Sequence, residues 1–154
     1  MAFMTASDHE YWMQIALEEA RIAAAEDEIP VGAILVKGDQ IIRRDHNRTR
    51  QLRNPLAHAE KLIVDKILAS GIRVLEDHRL YVTLEPCLMC AGMLILARLD
   101  VLIIGASDPK AGAVGSVYNV LLDKSFNHHP TIVRGVLKES CSAILTSFFH
   151  AKRT

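Results

Sequence analysis

The sequence predicts a mixed α/β fold, and three observations predict it. Helix-periodic and strand-like segments alternate along 154 residues, enough for one domain with a real core. Ile29 to Val36 and Ile41 to Arg44 flank the polar turn Lys37-Gly38-Asp39-Gln40 and read as an antiparallel hairpin. Leu80 to Leu84 and Val101 to Ile104 are apolar runs separated by a helix-length segment, which reads as a parallel βαβ unit.

The elements follow in order. Ser7-Asp8-His9-Glu10 has the form of a capping box, so a helix should start near Asp8 and end near Asp27. Met13, Ala16, Leu17, Ala20, Ala23 and Ala24 recur at helical spacing and form its buried face. Gly32, inside the first strand, marks a close backbone approach. Asp45 to Pro55 is polar and basic, hence a loop. His58 to Ser70 is the second helix, closed by Gly71. Cys87 to Arg98 is the third; it is apolar nearly all round, so it should pack on the sheet and on something else, such as a second subunit. Asp108 to Gly115, with Pro109, Gly112 and Gly115, is a ligand-facing loop. Val117 to Leu122 reads as a short helix, Thr131 to Val136 as a last strand, and Glu139 to Phe149 as a closing helix with Cys141, Ile144, Leu145 and Phe148 on one face. No repeat, low-complexity segment or linker interrupts the chain, so residues 1–154 read as one domain.

Composition bounds the function. Half the residues are hydrophobic, but no apolar run approaches the roughly 18 residues that cross a bilayer, so a soluble, cytoplasmic protein is expected. Net charge is zero and predicts no partner by itself. Its distribution says more: seven acids and one base between Asp8 and Glu28, then five arginines and one acid between Arg43 and Arg53. The arginine cluster is either a solvated loop or a rim that contacts phosphates. With three cysteines and no signal-peptide pattern, a disulfide framework is not expected.

Chemistry concentrates around Cys87 and Cys90. At i and i+3 on the first turn of a helix they point the same way. Unsatisfied N–H groups at a helix start favour anions, so both thiols are poised as thiolates. Two thiolates on one face need a partner, and a borderline-soft metal is the usual one. His58, at the start of another helix, is the third candidate ligand, and three protein ligands leave one position for water, as in catalytic zinc sites. Glu60, two residues on, is placed to move protons. A redox Cys-x-x-Cys pair and a closed structural zinc with an unfound fourth ligand are the alternatives. Cys141 is read as a small core hydrophobe rather than that fourth ligand. His-x-Glu followed about thirty residues later by Pro-Cys-x-x-Cys is the known signature of zinc deaminases.

Nearly end to end, the chain resembles the bacterial tRNA-specific adenosine deaminases of the cytidine-deaminase-like superfamily. The likeness rests on Ile29 to Ala33, Ala57-His58-Ala59-Glu60, Thr83 to Gly92, Gly105 to Gly112, Asn127-His128 and Phe148-Phe149. The Asp-Pro-Lys-Ala-Gly block and the Asn-His pair point to the tRNA branch. The resemblance implies a three-layer α/β/α, cytidine deaminase-like fold with a central five-stranded mixed sheet, a homodimer, and one zinc ion per subunit. It implies hydrolysis of adenosine to inosine at the wobble position of a tRNA anticodon stem-loop. By position, His58, Cys87 and Cys90 would bind zinc and Glu60 would shuttle the proton. Asn47 would hydrogen-bond the flipped purine, and Asp108, Lys110, Asn127 and Phe149 would line the RNA groove. Asn54-Pro55-Leu56, Ser140 and the glycine-free segment Arg43 to His46 depart from the family pattern. Deamination of a free base or nucleotide, on the same motif, is the second reading; a silent RNA-binding subunit with a structural zinc is the third.

Overall fold

The computed structural model describes residues 4–153. Helix α1 spans Ala6–Ala25. Its capping box is Thr5 with Asp8: the Thr5 hydroxyl accepts the Asp8 N–H, and the Asp8 carboxylate accepts the Thr5 N–H at 2.9 Å. The expected start is thus corrected, because Asp8 serves as the third residue of the box and the cap lies three residues earlier. Strands β1 (Gly32–Lys37) and β2 (Gln40–His46) form the hairpin, α2 is Ala59–Ala69, and β3 is Arg79–Leu84. Helix α3 (Leu88–Leu96) and β4 (Val101–Ala106) complete the βαβ unit. A 3-10 turn at Val120–Leu122, β5 (Thr131–Val133) and α4 (Lys138–Arg153) close the chain. Strand β5 is shorter than expected because the chain turns at Gly135, φ 75°. Helix α4 runs four residues past the expected Phe149 end.

The five strands lie in the order β2-β1-β3-β4-β5. Strand β1 is antiparallel to both β2 and β3, whereas β3–β4 and β4–β5 are parallel, so the sheet is mixed. Side chains alternate across a strand, and each face builds its own core. Ala33, Leu35, Leu80, Val82, Leu102 and Ile104 pack with Ile63 and Val64 of α2 and Leu94 of α3. Ile34, Val36, Tyr81 and Ile103 pack with Trp12, Met13 and Leu17 of α1 and Cys141 of α4. The result is three layers, α1 and α4 on one side and α2 and α3 on the other. Gly32 lets α1 approach β1 closely: a Cβ there would stand 2.1 Å from the Ala16 carbonyl oxygen. On α3, Cys90, Ala91, Leu94 and Ile95 are buried, while Leu88 and Leu96 are exposed at 52% and 84%.

Candidate active site

Two helix starts meet beyond the carboxyl end of β3. His58 is the N-cap of α2 and Cys87 the N-cap of α3; neither side chain caps its own helix, so both are free to face each other. His58 Nδ1 lies 3.5 Å from Cys87 Sγ and 3.7 Å from Cys90 Sγ. With Zn–S near 2.3 Å and Zn–N near 2.0–2.1 Å, a tetrahedral ion holds N and S about 3.6 Å apart. The three side chains therefore fit zinc as they stand, and their ligand atoms all lie within 4.8 Å of one another. Cys141 is not in this group. Its thiol, pushed up to about 12 by burial, packs beneath Gly105, where an added Cβ would come within 2.4 Å of Sγ.

The electrostatics suit a cation. A hydrogen bond from Cys90, together with His58, brings the Cys87 thiol down to about 4. The hydrogen bond to Cys87 is the largest cause that raises the His58 imidazole above its usual value. Cys90 is driven the other way, by Cys87 and by burial. A second thiolate beside the first is disfavoured, and a divalent ion offsets that repulsion, so the pair suits metal ligation. Glu60 is 4% exposed, and burial raises its carboxyl to about 7.

His58, Glu60 and Cys87 line a cavity of about 640 Å³. Asn47, Asp108, Lys110 and Phe149 line it, and so do Leu145, His150 and Arg153 of α4, to which the sequence reading gave no role at the site. Asn47 Oδ1 accepts the Ala59 N–H at 2.9 Å, fixing the amide against the start of α2. Asp108 Oδ1 accepts the N–H groups of Lys110 (3.0 Å) and Ala111 (3.3 Å), which shapes the turn around Pro109. Asn127 stands elsewhere, beside Leu96 and Phe126 at a second hollow of about 250 Å³.

Two buried carboxylates that sequence reasoning passed over hold the cavity's loops. Glu28 accepts the backbone N–H groups of Arg50 (3.0 Å) and Gln51 (2.8 Å). Glu85 accepts those of Asp108 (3.1 Å), Val114 (2.9 Å) and Ser116 (3.1 Å), and the Ser116 hydroxyl. Burial alone would push both carboxyls up, but these hydrogen bonds outweigh it and hold both below the usual range.

Three of the five arginines are paired within the protein, Arg44 and Arg50 with the acidic stretch that precedes them and Arg48 with Asp45 beside it. Arg44 reaches Glu19 at 2.7 Å, Arg50 reaches Asp27 at 2.5 Å, and Arg48 reaches Asp45 at 2.7 Å. His46 places Nδ1 on Glu19 (2.8 Å) and Nε2 on Glu26. Glu19, Asp45 and His46 also group closely, but Glu19 and Asp45 hold this chain's own Arg44 and Arg48. Among the described residues, Arg43 and Arg53 make no ion pair. No helix of the described residues is long and apolar enough to cross a membrane.

Residues 6–106 match the family model for the cytidine and deoxycytidylate deaminase zinc-binding region, which places the chain among the zinc-dependent deaminases. Over 145 residues it is 43% identical to a tRNA-specific adenosine deaminase of Bacillus subtilis, covering 94% of this chain and 90% of that one. A solved structure from a study of A-to-I editing by tRNA:A34 deaminases superposes with a TM-score of 0.83 at 41% identity, covering 88% of this chain and 99% of the other. A guanine deaminase from Nitrosomonas europaea is more distant, with a TM-score of 0.74 at 25% identity over 90% and 83% of the two chains. The chain belongs to the tRNA-specific adenosine deaminase family.

Proposed function

We propose that this chain hydrolyses adenosine to inosine at the wobble position of a tRNA anticodon, working as a single zinc-dependent deaminase domain. The carrying observation is that His58, Cys87 and buried Glu60 share one cavity with Asp108, Lys110 and Phe149, with Cys90 grouped behind them against His58 and Cys87. That cavity extends well beyond the ligand cluster, as a nucleotide within a strand requires. A bound zinc ion brings the pKa of water from 15.7 to about 7.

His58, Cys87 and Cys90 are the residues that hold it. Glu60 takes a proton from the attacking water and passes it to the purine ring nitrogen; it then takes the second proton from the hydroxyl now bonded to the carbon and gives it to the amine, so the C–N bond breaks as the carbonyl forms and ammonia leaves. A carboxyl held near 7 can do both. Water is consumed and ammonia released at one carbon, so one carboxylate suffices. Asn47 spends its oxygen on Ala59, which leaves its amide N–H groups to donate to the purine edge. A base in an anticodon loop is already largely unpaired, so turning it into the cavity costs little. Asn127 lies off this cavity, and its RNA contact belongs to a more distant part of the stem-loop or to a partner's site.

The protein acts in the cytoplasm as a homodimer that covers α3. Leu88, Leu96, Leu122 and Phe126 are all exposed there and beside it, more large apolar side chains than one water-facing helix region commonly shows. Leu96→Glu should shift the sedimenting species from dimer to monomer; an unchanged wild-type monomer would sink the dimer.

The deciding experiment is inosine formation in an adenosine-wobble stem-loop, with free adenosine, cytosine, guanine and deoxycytidylate beside it. Product from the stem-loop alone supports the proposal. Ammonia from a small molecule alone keeps Glu60 and the zinc cluster but replaces the substrate.

A further inference from the structure

We infer that Glu85 is a positioning residue for the RNA-facing wall: its buried carboxylate gathers the segment 108–116 and so sets where Asp108 and Lys110 stand at the cavity. This rests on the proposed RNA substrate. The segment contains no helix or long strand to hold its shape. Its own backbone supplies a few bonds, such as Gly112 N–H to the Asp108 carbonyl at 2.9 Å and Ala113 N–H to the Pro86 carbonyl at 2.9 Å. Glu85 supplies four more. Oε1 accepts from the Asp108 N–H and the Ser116 hydroxyl, and Oε2 accepts from the Val114 and Ser116 N–H groups. A carboxylate offers about four acceptor positions, so this one is fully used.

Packing around the carboxylate is equally specific. At Gly112 an added Cβ would stand 2.4 Å from Glu85 Cδ and Oε2 and 2.6 Å from the Asp108 carbonyl oxygen. Only a glycine lets the loop close on the acid. Glu85 also directly precedes Pro86 and Cys87. One side chain thereby links the turn bearing a zinc ligand to the loop bearing Asp108 and Lys110. The distance between the reacting centre and the strand-holding wall is set through it.

Glutamine is the discriminating substitution. It has nearly the same shape, but half its head group donates hydrogens, and each carboxylate oxygen it replaces faces at least one backbone N–H of the loop, which can only donate. In the zinc-loaded full-length protein, Glu85→Gln should leave one zinc per chain and raise KM for the anticodon stem-loop about tenfold, the scale of one lost hydrogen bond to a charged group. The turnover number should fall much less. Hydrogen exchange at the amides of Asp108, Val114 and Ser116 should be slow in the parent and fast in the variant. Ser116→Ala removes only the hydroxyl bond and should raise KM a few-fold with zinc and folding intact; it decides the matter if Glu85→Gln does not fold. Lost zinc, or a fall in turnover with KM unchanged, would overturn the inference and assign Glu85 to the metal-binding turn. Unchanged exchange at the three amides would overturn it too. If the parent protein ignores the stem-loop, the substrate reading fails, and the exchange comparison still judges the anchoring alone.

Discussion

Asn47 Oδ1 and the Ala59 N–H, 2.9 Å apart, join the loop after β2 to the first turn of α2, the turn that carries Glu60. Asn47 is buried at 8% exposure and touches the cavity, so it has two separable jobs. Asn47→Asp keeps the acceptor for Ala59 and loses the amide donors. It should melt close to the parent temperature yet lose well over tenfold in stem-loop turnover. Asn47→Ala should lose both, with a stability cost of about 1–3 kcal/mol for the stranded buried N–H. Full activity in Asn47→Asp would show that the amide does not read the base.

Zinc content separates three neighbouring roles. His58→Ala should lose the metal and all turnover. Glu60→Gln should keep the metal and the fold but lose several orders of magnitude in turnover, about the 10²–10⁴ of general acid–base catalysis or more. Cys141→Ala should keep both metal and turnover, because its sulfur packs under Gly105 rather than at the ligand cluster. Metal analysis beside a single-turnover assay reads all three. Near-normal activity in Glu60→Gln would remove the proton-shuttle role, and zinc loss in Cys141→Ala would make Cys141 a ligand.

Glu28 carries a pH dependence whose sign is fixed. It is fully buried, and its hydrogen bonds from Arg50 and Gln51, outweighing the burial that would raise it, hold the carboxyl below its ordinary 4.5. Unfolded, the group binds a proton first as pH falls. Its stabilisation is therefore complete above about pH 4.5 and is lost as pH drops through the lower folded value. Glu28→Gln should lower the melting temperature at pH 7 and narrow the gap to the parent in acid. Two melting curves that stay parallel from neutral to acid pH would contradict it.

Much of this arrangement was legible in residue order, and the reasons it was or was not are physical. Leu80 to Leu84 and Val101 to Ile104 announce buried parallel strands because both faces are covered, and they pair as such. Cys87, Cys90 and His58 are legible because metal ligation demands particular atoms at particular helix starts. Glu28 and Glu85 were not, since an acid that collects N–H groups from a loop looks like any other acid until the chain is folded. The pairing of Arg44 with Glu19 is hidden for the same reason: the two lie 25 positions apart, and only the packing of α1 on the sheet brings them together. Leu145, read from its spacing as part of an apolar face, packs against the core and also borders the cavity, which the spacing does not reveal. Helical spacing reports which side is apolar and says nothing about what that side meets.

The paired arginines change what the basic loop can contribute to RNA binding. Arg48 and Arg50 already hold Asp45 and Asp27, so a phosphate must compete with a carboxylate for each. Arg53 is exposed and has no ion pair among the described residues. Each phosphate neutralised on a single strand contributes about 0.7 to the slope of log affinity against log salt. Replacing Arg48, Arg50 and Arg53 together with alanine should therefore weaken stem-loop binding and reduce that slope by less than about 2, the value for three free charges. Arg53→Ala alone should account for the largest single share. Anisotropy titrations of a labelled stem-loop at several salt concentrations measure both quantities. An unchanged affinity and slope in the triple variant would remove the loop from the RNA-binding surface, leaving Arg48 and Arg50 as partners of Asp45 and Asp27 and Arg53 as a solvated charge.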